Sequence, residues 1–467
     1  MEQETSNTDL NDAAEKRREA IRVLMFLLPT VLFGGVIGAI TGLKTSFLLK
    51  EQMGLNASDL GTLNLLLGLP SYLQPFIGMW TDMFAFLGYH RRSYYLSGKV
   101  LHAAGLAGLA LLESAGRIGD AHHHNQLTVF ALLLIIGAGG IIRTVIFNAI
   151  LVALGNFTGR FGQFLAIVNL TPIVLSIVYT ANLSGYVADH WSYQHAFWVG
   201  TILTILSTPL VFLIDEKRSS NRRHAAETHE EHAARMAKKV DDRRRILASI
   251  VHVAKTPGVW ALTAFVFYLI VTPGVNNAKL YFEQDSLQFS RELIGQLARF
   301  ASIGALIGYA VYGLVSRRIP IYMLAWGAWL MDCASYPTLL LLHSPGSAKV
   351  LEVGTAVIGA LYAVCLNTLA ARMCPKGLEG AVYGLIQAAI AISGNLSEKI
   401  GGWLYVRFGP ENPGAHYTIQ HGWNWSLYAG LAFTVVGVVF IPFLPAWTHS
   451  KKRVGDLTDE DVIDMAG

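Results

Sequence analysis

The sequence predicts an all-α membrane protein of about twelve transmembrane helices in two six-helix halves. Three observations carry that expectation. Of 467 residues, 53% are hydrophobic and only 15% are charged, a balance too apolar for soluble domains. Apolar runs of about 20 residues recur along the chain, each long enough to cross a bilayer. Basic residues gather on alternate connections, as in a chain threaded through a membrane with its positive loops inside.

The runs lie near 22–49, 59–84, 94–113, 127–153, 162–188, 194–214, 258–282, 292–315, 320–342, 349–372, 378–404 and 425–447. Those above bilayer thickness imply tilt or short extensions. Lys16 to Arg22, Arg91-Arg92, Arg160, the stretch Lys217 to Lys255, Arg317-Arg318, Arg372 with Lys376, and Lys451 to Arg453 all fall on one side. That side is the cytoplasm, so both termini are expected there, in a cell (inner) membrane protein. The expected organisation is a tail over 1–21, a bundle over 22–214, a charged linker over 215–257, a second bundle over 258–447 and a tail over 448–467. Glycines four apart, Gly34-Gly38-Gly42 and Gly304-Gly308, predict close helix contacts.

Several function classes are excluded at this level. A net charge of +4, spread unevenly, reports membrane orientation rather than nucleic-acid binding. The first 20 residues carry no apolar core of a cleavable leader. The three cysteines, Cys333, Cys365 and Cys374, lack metal-ligand spacing, and His122-His123-His124 and His224, His229 and His232 are best read as solvated loop residues. No Walker loop and no hydrolase constellation occurs, so neither an ATP-driven pump nor an enzyme is supported, and no cofactor or metal is expected.

One polar stretch organises the first half. Gly78 and Asp82 close one apolar run, and Gly88 with Arg91 and Arg92 precedes the next. A carboxylate followed after a short turn by two guanidinium groups can hold two helices in one of two arrangements, which is a gate; membrane-side anchoring of Arg91 and Arg92 is the plainer alternative. The Gly78-to-Asp82 signature resembles that of the major facilitator superfamily. Its longer spacing, with five residues between Asp82 and Gly88, is similar to the folate-biopterin transporter family. Further stretches carry the same resemblance: Phe47 to Ser58, Thr272 to Ser290 with Gly304 to Gly308, and Leu369 to Tyr383 with its Pro-x-Gly-x-Glu-Gly pattern. The resemblance implies the major facilitator fold and alternating access, with the first, fourth, seventh and tenth helices lining a central cavity. It also implies two acidic residues on the fourth helix, where this chain has Arg143 and Asn148. That departure implies a different coupling or a different ligand.

Candidate site residues follow. Arg143 lies about 15 Å into its helix at 1.5 Å per residue, too deep for comfortable snorkelling. A charge there faces a cavity or a partner, so it either clamps a carboxylate or phosphate or pairs with an acid on another helix. Asn148 sits about 140° around the helix from it at 100° per residue, on the face of Thr144. Pro273 and Gly274 predict a broken seventh helix, with Asn276 and Asn277 as ligand-lining amides and Lys279 as a surface anchor. Asn367 is a further candidate amide. Asp332 is expected either to pair with Arg299 or to take a coupling proton, and Glu398 is weighed in the same way. The expected function is secondary transport of a small polar or anionic organic solute, folate- or pterin-like by resemblance, coupled to protons, by a monomer. The alternative is a non-transporting membrane assembly or pigment-binding factor on the same fold.

Overall fold

The computed structural model describes residues 2–84, 86–89, 91–118, 125–158, 170–214, 257–315, 318–372, 379–409, 418–444, 446–449 and 451–452. Within these, residues 2–20, 22–23, 79, 82–83, 152–158, 370–372 and 379–384 are described by their backbone. The expected linker 215–257, the terminal tail from 453, His122 to His124 and Arg160 lie outside the described residues, apart from Pro257.

Helices stand at all twelve expected places, and among the described residues no strand is present beyond a single bridge at Phe86 and Tyr89. Nine of them are long and apolar enough to cross a membrane among the described residues, from Leu24–Gln52 to Ile419–Phe443. The remaining three fall short for separate reasons. Tyr322–Leu339 is long enough but is made less apolar by Asp332, Ser335, Tyr336, Pro337 and Thr338, and Glu379–Arg407 is interrupted by Asn395, Ser397, Glu398 and Lys399. The run expected over 59–84 is broken into Ala57–Leu67, Leu69–Tyr72 and Gln74–Met83. Pro70 lacks the N–H that would continue the helix, and the Tyr72 hydroxyl donates to the Leu65 carbonyl at 2.8 Å.

Several helix starts are legible. Asn56, Ser192 and Thr418 accept hydrogen bonds from the N–H groups of Asp59, His195 and His421, each three residues on. These side chains satisfy donors that a helix start leaves open.

By packing, the chain divides into two compact units. The first holds Met1–Gly54, Phe76–Ser219 and Arg291–Arg299; the second holds Leu55–Pro75, Ser220–Ser290 and Phe300–Gly467. Leu55–Pro75 belongs to the second unit because small residues let backbones touch. A Cβ on Gly61 would lie 2.7 Å from Lys399 Cα, and Gly402 abuts the Ala57 carbonyl. Arg291–Arg299 belongs to the first, where a Cβ on Gly185 would stand 2.5 Å from the Glu292 carbonyl and Gly295 abuts Gly185. In the first unit an apolar core gathers Phe26, Leu27, Tyr95, Ile146 and Ile150. In the second, Leu262, Phe265, Leu324, Ala328 and Leu369 form the centre of the core.

The glycine expectations divide. Gly304 and Gly308 do pack against backbone, at the Val353 and Val357 carbonyls. Gly34, Gly38 and Gly42 do not: nothing among the described residues lies within 4 Å of a Cβ placed there. Spacing puts small residues on one face, but which face meets a neighbour is set by packing.

Candidate functional site

The helices Arg92–Ser114 and Gln126–Thr158 meet backbone to backbone. A Cβ on Gly98 would lie 2.8 Å from the Gly139 carbonyl and 2.9 Å from Arg143 Cγ. Arg143 fills the step this contact leaves. Its Nε donates to the Gly139 carbonyl at 3.2 Å, and its Nη2 lies 3.2 Å from His102 Nδ1. A guanidinium can only donate, so Nδ1 accepts and the imidazole proton sits on Nε2. The Ile136 carbonyl, 3.3 Å from Nδ1, therefore receives no proton from that ring. His102 Nε2 is buried and has no hydrogen-bond partner among the described residues.

One turn before His102 stands Lys99, 2% exposed. Its Nζ donates to Ser207 Oγ at 2.6 Å, and that hydroxyl passes its own proton to the Thr204 carbonyl at 2.8 Å. Three basic side chains thus share one buried neighbourhood, and their partners are neutral. Among the described residues, no carboxylate forms an ion pair with any of them. Of the two alternatives for Arg143, a partner acid on another helix is not found there; a set of donors without an anion is. Thr144 and Asn148 occupy the other face, both exposed, with Thr144 Oγ1 donating to the Gly140 carbonyl at 3.0 Å.

The expected gate stretch forms a helix end, a tight turn and a helix start. Leu87 and Gly88 have φ of 52° and 85°, and glycine meets the second at no steric cost. Arg91 caps the Arg92–Ser114 helix. Arg92 donates through Nε to the Ile214 carbonyl and through Nη2 to the Phe212 carbonyl at 3.3 Å. These carbonyls end the Thr208–Leu213 helix, where a cation suits the helix dipole. Gly78 makes only ordinary contact: a Cβ there would meet Val145 Cγ1 at 3.8 Å. The Asp82 side chain lies outside what is described.

The seventh helix is broken as expected. Pro257–Val271 stops and Asn276–Tyr281 restarts after Thr272 to Val275. The break is clamped by the Glu379–Arg407 helix. Gly274 N–H donates to the Ser397 carbonyl at 2.9 Å, Ser397 Oγ donates to the Thr272 carbonyl at 2.5 Å, and Gly401 abuts the Gly274 carbonyl. Glu398 takes the Asn276 side-chain amide at 2.7 Å and the Asn277 backbone N–H at 3.0 Å. Asn276, Asn277 and Glu398, which the sequence leaves as separate candidates, are therefore one construction. Asn277 Nδ2 remains buried without a partner among the described residues.

Asp332 accepts from Thr434 Oγ1 at 3.2 Å. Arg299 is exposed, and no ion pair to Asp332 occurs among the described residues. Tyr336, one turn on, donates to Thr272 Oγ1 at 2.9 Å. Asn367 is exposed, while its neighbour Thr368 bonds the Tyr312 hydroxyl at 2.8 Å. Lys279 is not a surface anchor. Its ammonium is paired with Glu352 and lies 3.7 Å from Glu283. Sequence reasoning missed Lys99, His102, Glu283 and Glu352, although Lys99, His102 and Glu352 are ionisable residues inside apolar runs and Glu283 directly follows one, which is itself a signal.

The BT1 family model matches residues 34–412 of the chain. The chain belongs to the BT1 family. A folate-biopterin transporter of Synechocystis is 25% identical over 394 residues, covering 82% of this chain and 74% of the relative. Folate transporter 1 of Plasmodium falciparum is 22% identical over 384 residues, covering 79% of this chain and 69% of the relative. Among solved structures, a D-xylose-proton symporter superposes with a TM-score of 0.61 at 16% identity, covering 91% of this chain and 98% of that one. The inward-open xylose transporter from E. coli gives 0.59 at 15% identity, over 95% and 98%. This member of the BT1 family has the major facilitator fold, resides in a membrane and is a secondary transporter of small solutes, not an enzyme.

Proposed function

We propose that this BT1 family protein carries a small organic anion, folate-like in bearing a carboxylate, across a cell membrane by alternating access, with both termini in the cytoplasm. The observation that carries this reading is the set of buried Lys99 with half-buried His102 and Arg143, whose described partners are all neutral. Uncompensated charge in a low-dielectric site is costly, and an anion in transit supplies the compensation. A carboxylate also matches the parallel donors of a guanidinium. Relatives named for folate and biopterin narrow the class, and the surplus of cationic donors favours the carboxylate-bearing solute over an uncharged pterin. In this reading the two bundles over 22–214 and 258–447 rock about the solute as a monomer. Asn148, Asn276, Asn277 and Asn367 supply polar contacts, the stretch from Gly78 to Arg92 gates the cytoplasmic end, and protons drive uptake, with Asp332 and Glu398 the acids that the sequence offers for coupling.

The test is uptake of labelled folate and biopterin into proteoliposomes by wild type, Arg143→Ala and Arg143→Lys. Loss of a charge-assisted contact lowers anion uptake by about tenfold or more in Arg143→Ala, with partial retention in Arg143→Lys. Equal uptake of every anion by wild type and Arg143→Ala, at equal protein amounts, would falsify the reading. Asp82→Asn tests the gate separately: uptake falls while membrane insertion stays normal.

A further inference from the structure

A second buried cluster, in the other unit, has the opposite charge balance. Lys279 projects from the Asn276–Tyr281 helix between two carboxylates. Its Nζ is paired with Glu352 of the Pro345–Arg372 helix and lies 3.7 Å from Glu283 Oε1, one turn further on. The side chains of Lys279, Glu352 and Glu283 keep 19%, 13% and 4% of their exposure. Two carboxylates against one ammonium leave one net negative charge in the cluster.

The two acids are not equivalent. Glu352 has Lys279 at hydrogen-bonding range, whereas Glu283 Oε1 is buried with no hydrogen-bond partner among the described residues. Other elements packed against this segment bring further charged and titratable groups. Glu398, on the Glu379–Arg407 helix, is taken by Asn276 and Asn277, and Lys399 follows it, its backbone against Gly61. The Ala57–Leu67 helix brings Asp59 in its first turn. His421, on the Ile419–Val436 helix, accepts from Trp425 Nε1 at 2.9 Å, and Trp423 stacks on Phe282. Lys349 lies over the Phe300 ring, and Asp285 is exposed. Among the described residues, Glu283 is thus a buried carboxylate whose ion-pair partner, Lys279, is shared with Glu352. An ionised acid in that setting carries a desolvation cost that its neighbours do not offset.

We infer that Glu283 is the carboxylate that binds the coupling proton, with Lys279 and Glu352 as its charge partners. The proton comes from bulk water on one side of the membrane, adds to Glu283 Oε1, and returns to bulk water on the other side; no other bond changes. Protonation makes the cluster neutral and leaves Lys279 wholly to Glu352. Because Lys279 sits on the short helix that restarts after the break and Glu283 on the π-helical turn Phe282–Ser286 that continues it, loading acts directly on the segment whose start is held by Glu398. This assignment rests on the transport reading, yet it does not depend on which solute is carried.

The experiment compares wild type, Glu283→Gln and Glu283→Asp in proteoliposomes and by infrared spectroscopy. In wild type an imposed pH gradient drives labelled folate accumulation, and solute addition drives proton uptake. Glu283→Gln loses gradient-driven accumulation by about tenfold or more but keeps folate exchange at equal pH within about twofold; Glu283→Asp retains part of both. The protonated-carboxyl band that titrates in wild type is missing from Glu283→Gln, a readout that needs no solute. Gradient-driven accumulation by Glu283→Gln at the wild-type rate overturns the assignment, as does loss of exchange together with accumulation, or an unchanged titrating band. If neither protein exchanges folate but the band behaves as stated, the choice of solute fails and the proton site stands.

Discussion

In the first unit, Lys99 is buried and His102 and Arg143 are half-buried, with hydroxyl, imidazole and carbonyl partners. In the second, Glu283 is buried and Glu352 and Glu398 are half-buried, around one ammonium, one amide and one backbone N–H. The first set has donors in excess and the second has acceptors in excess. A structural ion-pair network would have brought the two kinds together, since each satisfies the other cheaply. On the proposed reading the missing partners are mobile, an anion for one region and a proton for the other.

The comparison can be broken most sharply at the basic cluster. Lys99→Met combined with Arg143→Met removes two charge-assisted contacts and lowers carboxylate uptake by about a hundredfold. Thermal stability stays level or rises, because buried charges without counterions are replaced by apolar volume. A clear fall in stability with uptake intact would make the cluster structural.

The next effect tests the packing that seats Arg143. Gly98→Ala places a methyl 2.8 Å from the Gly139 carbonyl and 2.9 Å from Arg143 Cγ. The helix pair must part, at a cost of about 1–3 kcal/mol, measured as a lower denaturation midpoint with weaker anion binding. Glu398→Gln is milder. It keeps the shape but replaces a charged acceptor of two hydrogen bonds, so stability falls by about 1 kcal/mol and uptake declines at every pH. A change confined to gradient-driven uptake would move the proton role to Glu398. Gly78→Ala is the smallest: its methyl meets Val145 Cγ1 at an ordinary 3.8 Å, and transport and stability stay at wild-type levels.

Much of the fold was legible along the chain because bilayer burial is a one-dimensional property. A helix crossing lipid satisfies its own backbone, so twenty apolar residues suffice to announce it. The break at Pro273 and Gly274 was legible for the same local reason, the missing N–H and the missing Cβ. The site was less so. The depth of Arg143 could be counted, but not whether its guanidinium met an acid. Lys279 looked like an anchor near a helix end until Glu352, distant in sequence, was found beside it.

The sequence by itself determined that this is a polytopic helical membrane protein, roughly where each helix runs, and that Arg143 is carried deep into one of them. Only the tertiary structure decided that Gly98 and Gly139 bring two helices close enough to wedge Arg143, that no described residue lies within 4 Å of a Cβ on Gly34, Gly38 or Gly42, and that Glu398 holds the seventh-helix break. The reason is physical. Hydropathy is summed over a segment, whereas a buried charge is settled by individual atoms a few ångströms away on other helices, and only packing brings those atoms together.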